Sequence, residues 1–420
     1  MYQAPRGTSD ILPREQGYWR YVEEKASSLC QLYGYERIDT PVFEDARLFV
    51  RTIGAGTDIV EKETYSFEDR SGQEMTLRPE GTAPICRAYI EHGMHNLPQP
   101  VRLYYFASIF RYERPQKGRY RQHQQFGFEA LGDDDPALDA EVVDMAWQFL
   151  ASLGLGGLSL LLNSIGCKLC RPNYLERLKG YYSGHVHHLC QDCKGRLVRN
   201  PLRLLDCKEP TCHGIAESAP RSTEHLCPHC KEHFESVIRY LFLLGIPFEK
   251  NHRLVRGLDY YTRTVFEIQP QGEEGAQTAL GGGGRYDDLI EELGGKPTPA
   301  IGFAAGMERI VLNMKKQGIA PPAASSSTVF VAYLGEGAKD EAVKMTAALR
   351  RAGISAISSL GDRSLRAQLR QANALGAAYA LILGEEEVAS GTVMLRDMAR
   401  GEQKRVSMGE AVSILDKGNT

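Results

Sequence analysis

Apolar residues recur at helical spacing between positions 16 and 33, where Tyr18, Tyr21, Val22, Leu29 and Leu32 share a face and Gly34 supplies a stop, so a first helix is predicted there. The pattern then changes to alternation: Tyr35 to Phe43 reads as a strand whose Pro41 belongs at an edge or a bend, and such an edge could serve as an oligomer contact. Residues 101–131 predict a long hairpin, with strands over Val101–Tyr112 and Gln125–Leu131 joined by a charged loop, Glu113–Gln124. A helical pattern follows at 137–153, glycine-rich strand-like sequence at 252–289, and a helix at about 301–316. Pro321-Pro-Ala-Ala-Ser-Ser-Ser has linker composition. Beyond it, strands at Val329–Leu334, Ala378–Leu383 and Thr392–Arg396 are separated by helical patterns at 339–352 and 364–375, which predicts a small α/β domain.

At 420 residues the chain exceeds a single core, and 42% hydrophobic with 25% charged residues is the balance of an ordinary folded protein. The longest aliphatic stretches, such as Leu158 to Leu162, are far too short to span a bilayer, and Met-Tyr-Gln-Ala-Pro-Arg-Gly at the start lacks an apolar signal core. A cytoplasmic location with no membrane partner is therefore expected. A net charge of −3 leaves polyanion binding to local clusters. Eight of the ten cysteines fall between 166 and 235, which marks that stretch as an insertion of reduced thiols or metal ligands.

Five stretches carry candidate chemistry. Between Arg111 and Arg121 the hairpin loop holds Arg111, Arg114, Lys117, Arg119 and Arg121 against one acid, Glu113, a basic patch suited to phosphate oxygens. Charge alone leaves a solvated loop tip open. The following strand places Gln125, Gly127 and Glu129 on one face and Phe126 and Phe128 on the other, so a small ligand could lie near the backbone on the polar side. Arg256-Gly-Leu-Asp-Tyr-Tyr-Thr-Arg-Thr-Val-Phe-Glu crowds charges into a β-prone stretch, costly to bury unless they are paired or ligand-bound. Gly281 to Gly284 then imply close approach of the backbone to a ligand or a neighbouring strand, and no Lys-Ser or Lys-Thr follows to make a phosphate-binding loop. In the predicted helix at 301–316, small residues at 302, 304, 305 and 306 would allow close packing and leave Arg309 available.

These residues together resemble the histidyl-tRNA synthetases, a family of class II aminoacyl-tRNA synthetases. Tyr35 to Phe49 matches the family's first motif, Phe110-Arg-Tyr-Glu-Arg-Pro-Gln-Lys-Gly-Arg-Tyr-Arg-Gln its second, and Gly302 to Leu312 its third. Leu254-Val-Arg-Gly-Leu-Asp-Tyr-Tyr and Gly282-Gly-Gly-Arg-Tyr-Asp are its histidine-specific peptides. The resemblance implies an α+β fold: an antiparallel-sheet catalytic core with a Cys-rich insertion, and a C-terminal α/β anticodon-binding domain. It divides the chain into core at 1–165 and 251–318, insertion at 166–250, linker at 319–327 and anticodon-binding domain at 328–420. By the same resemblance Glu80, Gly81, Thr82, Arg111, Gln125, Glu129, Arg256, Tyr260 and Tyr261 surround L-histidine. Arg111 and Arg256 act as the catalytic pair at the α-phosphate, and Arg111, Glu113, Arg119 and Arg309 grip ATP with Mg²⁺. Gln116 meets the acceptor end of tRNA(His), and the enzyme is a homodimer. One departure is Arg121-Gln-His-Gln-Gln-Phe-Gly, where His123 and Gln124 replace the family's usual Phe and His.

Cys167-x-x-Cys170, Cys190-x-x-Cys193, Cys207-x4-Cys212 and Cys227-x-x-Cys230 supply ligands for up to two tetrahedral metal sites, for which Zn²⁺ is the hypothesis; the family does not require it, and free thiols are the alternative. A catalytically silent relative, the regulatory subunit of an ATP phosphoribosyltransferase, is the chief rival, but such relatives usually lack the Arg256–Tyr261 peptide and the C-terminal domain. Arg350, Arg351, Arg363, Arg366 and Arg370 could form an RNA-facing surface.

Overall fold

A computed structural model describes residues 2–53, 63–113, 118–272, 278–322, 328–361 and 363–417. The chain divides into two compact units, Met1–Pro322 and Ala323–Thr420. Among the described residues no helix is long and apolar enough to cross a membrane.

The first unit begins with α1 (Gln16–Leu32), β1 (Glu36–Arg37), β2 (Phe43–Asp45), α2 (Ala46–Ile53), β3 (Tyr65–Glu68), β4 (Glu74–Leu77) and α3 (Thr82–Glu91). The hairpin strands β5 (Val101–Phe110) and β6 (Gln122–Leu131) follow, then α4 (Pro136–Ser152) and β7 (Leu158–Ser164). The cysteine-rich stretch is helical, with α5 (Arg171–Ser183), α6 (Gln191–Arg199), α7 (Pro210–Glu217) and α8 (Pro228–Leu243). The unit closes with β8 (Glu249–Lys250), β9 (Thr262–Pro270), β10 (Gly281–Arg285), α9 (Leu289–Glu292), β11 (Ala300–Gly306) and α10 (Met307–Lys316).

Eight strands form one sheet in the order β1-β5-β6-β11-β10-β9-β7-β8, antiparallel through its middle and parallel only at the two outer pairs. The alternation along β6 decides what lies on either side: Phe126 and Phe128 are fully buried in the core under α1, α4 and α10, while Gln125 faces the opposite side. α4 is capped by the Asp135 side chain, which accepts from the Ala137 N–H at 2.8 Å, and Pro136 starts the helix.

Two predicted elements differ from the structure. Residues 301–306 belong to β11 and the helix starts only at Met307. β11 lies between β6 and β10 with small apolar residues on both faces, including Ala304 and Gly306 on the cleft side, so its sequence shows no alternation by which a strand could be told from a helix. The strand predicted after Gly34 is two residues long, and past Pro41, which has no N–H to give a ladder, the chain enters a separate antiparallel sheet, β2-β4-β3.

The second unit comprises β12 (Val329–Tyr333), α11 (Glu336–Arg351), β13 (Ala356–Ser358), α12 (Leu365–Ala374), β14 (Tyr379–Leu383), α13 (Glu385–Ser390), β15 (Thr392–Asp397), β16 (Gln403–Ser407) and α14 (Met408–Lys417). Its sheet runs β13-β12-β14-β15-β16, parallel among the first three and antiparallel after β14. Arg366 and Arg370 lie on α12, and Arg350 at the end of α11 donates to the Ala356 carbonyl at 3.0 Å.

Candidate active site

The polar side of the large sheet floors a cleft of about 920 Å³ in the first unit. Glu80, Thr82, Arg111, Glu113, Arg119, Gln125, Arg256, Tyr260, Tyr261 and Arg309 all line it. They come from the turn before α3, the two ends of β5 and β6, the peptide before β9, and α10. Gly81 and Glu129 do not line it. Gly81 packs against Tyr105, whose ring occupies the space that a Cβ would need. Glu129 lies one layer beneath the floor, accepting from Thr82 Oγ1 at 2.8 Å and from Tyr286 Oη at 2.5 Å. Arg114, Gln116 and Lys117 lie outside the described residues.

Glu80 is buried, and its two oxygens accept the N–H groups of Thr82 and Ala83 at 2.7 Å each, which turns the chain into α3 and fixes the carboxylate. Tyr105 Oη donates to the Gln125 side-chain oxygen at 3.3 Å, leaving the amide N–H groups directed elsewhere. Arg111 Nε donates to the Pro79 carbonyl at 2.8 Å. Arg256 pairs with Glu267 of β9 at 2.7 Å and lies near the Tyr261 ring, 5.9 Å from its centre. Arg119 pairs with Glu113 at 3.2 Å, while Arg309 donates to the carbonyls of Gly118 and Ala279, both at 3.1 Å.

Burial pushes the Glu129 carboxyl up to about 8, against the pull of the Tyr286 and Thr82 hydrogen bonds. Glu80 is also raised by burial, offset in part by the Ala83 and Thr82 N–H groups. Burial, with Arg111 and Arg309 nearby, holds His123 down to about 3. The imidazole is therefore a neutral cleft-lining ring, set opposite Ile109 in the hairpin register. The sign for Glu129 follows from its raised value. Its contribution to stability is complete below the ordinary carboxyl value of 4.5 and is lost as pH rises through about 8. With no ligand added, the chain is expected to lose thermal stability between those values more steeply than the Glu129→Gln variant; parallel melting curves across that range would refute the assignment.

Sequence reasoning missed Tyr105 and quoted Tyr286 and Glu267 without giving either a role, although all three hold functional side chains in place; it also missed Glu308, which lines the cleft and accepts from the Gln124 N–H at 2.8 Å. Burial raises Glu308 to about 7. It also missed the wall supplied by the cysteine-rich stretch, where Arg203, Asp206, Lys208 and His213 face the cleft.

The eight clustered thiols gather as two groups, Cys167, Cys170, Cys227 and Cys230, and Cys190, Cys193, Cys207 and Cys212. Within each group the sulfurs lie within 4.8 Å of one another. Cys167 is 3.8 Å from Cys170 and 4.0 Å from Cys227, and Cys190 is 3.8 Å from Cys207. A tetrahedron with Zn–S bonds of about 2.3 Å has an S–S edge of about 3.8 Å, whereas a disulfide needs about 2.05 Å. The groups thus fit tetrahedral thiolate coordination of a metal ion.

The profile of the family described as Histidyl-tRNA synthetase matches residues 7–168 and 220–310, and that of the Anticodon binding domain matches residues 328–418. A histidine–tRNA ligase of Dehalococcoides mccartyi is 58% identical over 417 residues, covering 99% of this chain and 100% of that protein. One from Pelotomaculum thermopropionicum is 50% identical over 411 residues, covering 98% and 96% respectively. The crystal structure of apo S. aureus histidyl-tRNA synthetase superposes with a TM-score of 0.83 at 37% identity, covering 99% of this chain and 100% of that one.

Proposed function

The chain belongs to the histidyl-tRNA synthetase family, and from that premise we propose how its own residues carry out the reaction. It joins histidine to tRNA. ATP, entering as its Mg²⁺ complex, supplies the energy: the histidine carboxylate attacks the α-phosphorus, pyrophosphate leaves, and a ribose hydroxyl of tRNA(His) then takes the histidyl group and releases AMP.

Glu80, Thr82 and Gln125 hold the α-ammonium, for which Glu80 is already fixed by two backbone N–H groups. Tyr261 meets the imidazole from the cleft wall. Glu129 reaches it once Thr82 gives up its hydrogen bond, so that both ring nitrogens are satisfied and amino acids lacking them leave buried polar groups unpaired. Arg111 and Arg256 flank the α-phosphate and stabilise the charge that grows there; positioning and electrostatics replace any covalent nucleophile. Glu113, Arg119 and Arg309 bind the nucleotide.

The observation that carries this reading is the convergence of Glu80, Gln125, Arg256 and Tyr261 with Arg111 and Arg309 on one cleft. Among the amino acids, histidine alone is expected to support ATP–pyrophosphate exchange. Exchange with another amino acid would overturn the specificity, and none at all would favour the regulatory relative.

A homodimer through residues 35–49 is part of this reading, supported by the exposure of Val42 and Phe43 on that segment. A cytoplasmic location suits the reaction. Residues 328–420 are read as the part that recognises the anticodon, and the two four-thiol groups as sites for structural Zn²⁺.

A further inference from the structure

The insertion grips the peptide that carries Arg256 and Tyr261, and each grip lies close in sequence to one of the clustered thiols. Arg171, next to Cys170, donates to the Gly166 carbonyl at 3.1 Å and also to the Tyr261 carbonyl. From the segment between Cys193 and Cys207, Asn200 donates to the Asp259 carboxylate at 2.6 Å and Arg203 to the Arg256 carbonyl at 3.3 Å. His213, beside Cys212, meets Arg253, which pairs with Glu217 at 3.1 Å. Asp206, Cys207 and Lys208 themselves line the cleft.

The elements that present these contacts are short. α6 has nine residues, α7 eight, and a four-residue 3₁₀ turn, Pro201–Leu204, lies between them. Helices of that length do not hold a position unaided, because nucleation costs more than one or two turns of hydrogen bonds return. Cys193 and Cys212 are buried, and the Cys190 N–H points at the Cys212 sulfur at 3.2 Å, so this segment is ordered around its sulfurs. The other group joins the chain as it leaves the sheet, at Cys167 and Cys170, to the start of α8, at Cys227 and Cys230.

We propose that Zn²⁺ held by Cys190, Cys193, Cys207 and Cys212, with a second ion at Cys167, Cys170, Cys227 and Cys230, braces the 253–261 peptide from behind, so that metal loading of the insertion sets the histidine affinity of the cleft. The brace rests on the Zn²⁺ and histidine readings given above. Each ligating thiol gives up its proton, and the ion replaces it as the partner that fixes the sulfur. Nucleotide binding rests on Glu113, Arg119 and Arg309, which the hairpin and α10 hold, so the KM for ATP moves little, while the histidine KM rises and, through Arg256, the rate falls with it.

The full chain, purified without chelator, is expected to carry two zinc ions by elemental analysis, and its Co²⁺-loaded form to show thiolate-to-metal absorption. The Cys193→Ser/Cys212→Ser chain is expected to retain one zinc and to show a KM for histidine raised about fivefold in pyrophosphate exchange, with the KM for ATP nearly unchanged. Asn200→Ala touches no thiol; it should keep both ions and raise the histidine KM in the same direction. Zinc near background in the wild-type chain would overturn the metal, and two zinc ions with an unaltered histidine KM in Asn200→Ala would overturn the brace. Loss of all histidine-dependent exchange in the zinc-loaded wild-type chain would instead overturn the histidine reading, a failure that the zinc count separates from the other two.

Discussion

Arg256→Ala is expected to lower histidine-dependent pyrophosphate exchange by about 10³-fold, equivalent to about 4 kcal/mol of transition-state stabilisation. The guanidinium is held by Glu267 at 2.7 Å and directed into the cleft near Tyr261, so its charge is in place before the reaction and needs no reorganisation as the α-phosphate charge grows. Alanine removes that charge and leaves Glu267 without its partner in a half-buried position, at a stability cost of about 2 kcal/mol after allowing for its exposure to the cleft. Thermal melting separates this cost from the loss of catalysis. Arg256→Lys restores a charge but not the planar fork and should recover only part of the rate. A loss smaller than tenfold in Arg256→Ala would remove this residue from the reaction.

The second large effect is on stability. Gly283 sits in β10 between β9 and β11, opposite Phe303 on one side and Phe266 on the other. A Cβ there would press into the Gly302 carbonyl oxygen and come within 2.9 Å of the Phe303 Cα, and backbone in the middle of a sheet cannot step aside as a side-chain tip can. Gly283→Ala is expected to destabilise the catalytic unit by about 3 kcal/mol, or about 5 °C in Tm. Gly180→Ala, on α5 with nothing near its added methyl, is the control and should leave Tm unchanged or slightly raised. Equal melting temperatures for the two variants would mean that the strands do not approach as closely as described.

The hairpin was legible in the sequence because strict alternation separates Phe126 and Phe128 from Gln125, and tertiary packing follows the same division. The cleft's charged residues were legible because unpaired charges in β-prone sequence call for partners. Tyr105 and Tyr286 were not, since their roles depend on register and on contacts across the sheet: Tyr105 lies opposite Gly127, and Tyr286 reaches a carboxylate 157 positions away. Residues 301–306 were misread as helix because small apolar residues on both faces carry no period. β13, α13, β16 and α14 escaped notice, the first three because elements of three to six residues give too little pattern. Spacing gave the four cysteine pairs, while the way they join, first with fourth and second with third, depends on how α5 to α8 pack.

The placing of β11 has a consequence for the growing chain. β6 ends at Leu131 and its outer neighbour begins at Ala300, 169 positions later (300 minus 131). At ribosomal speeds of about 5–20 residues per second, that edge remains unpaired for roughly ten to thirty seconds, with Phe126 and Phe128 beside it. An open strand edge backed by aromatic rings invites pairing with a neighbouring nascent chain. Slower synthesis without chaperone cover of that edge is therefore expected to favour aggregates over native enzyme.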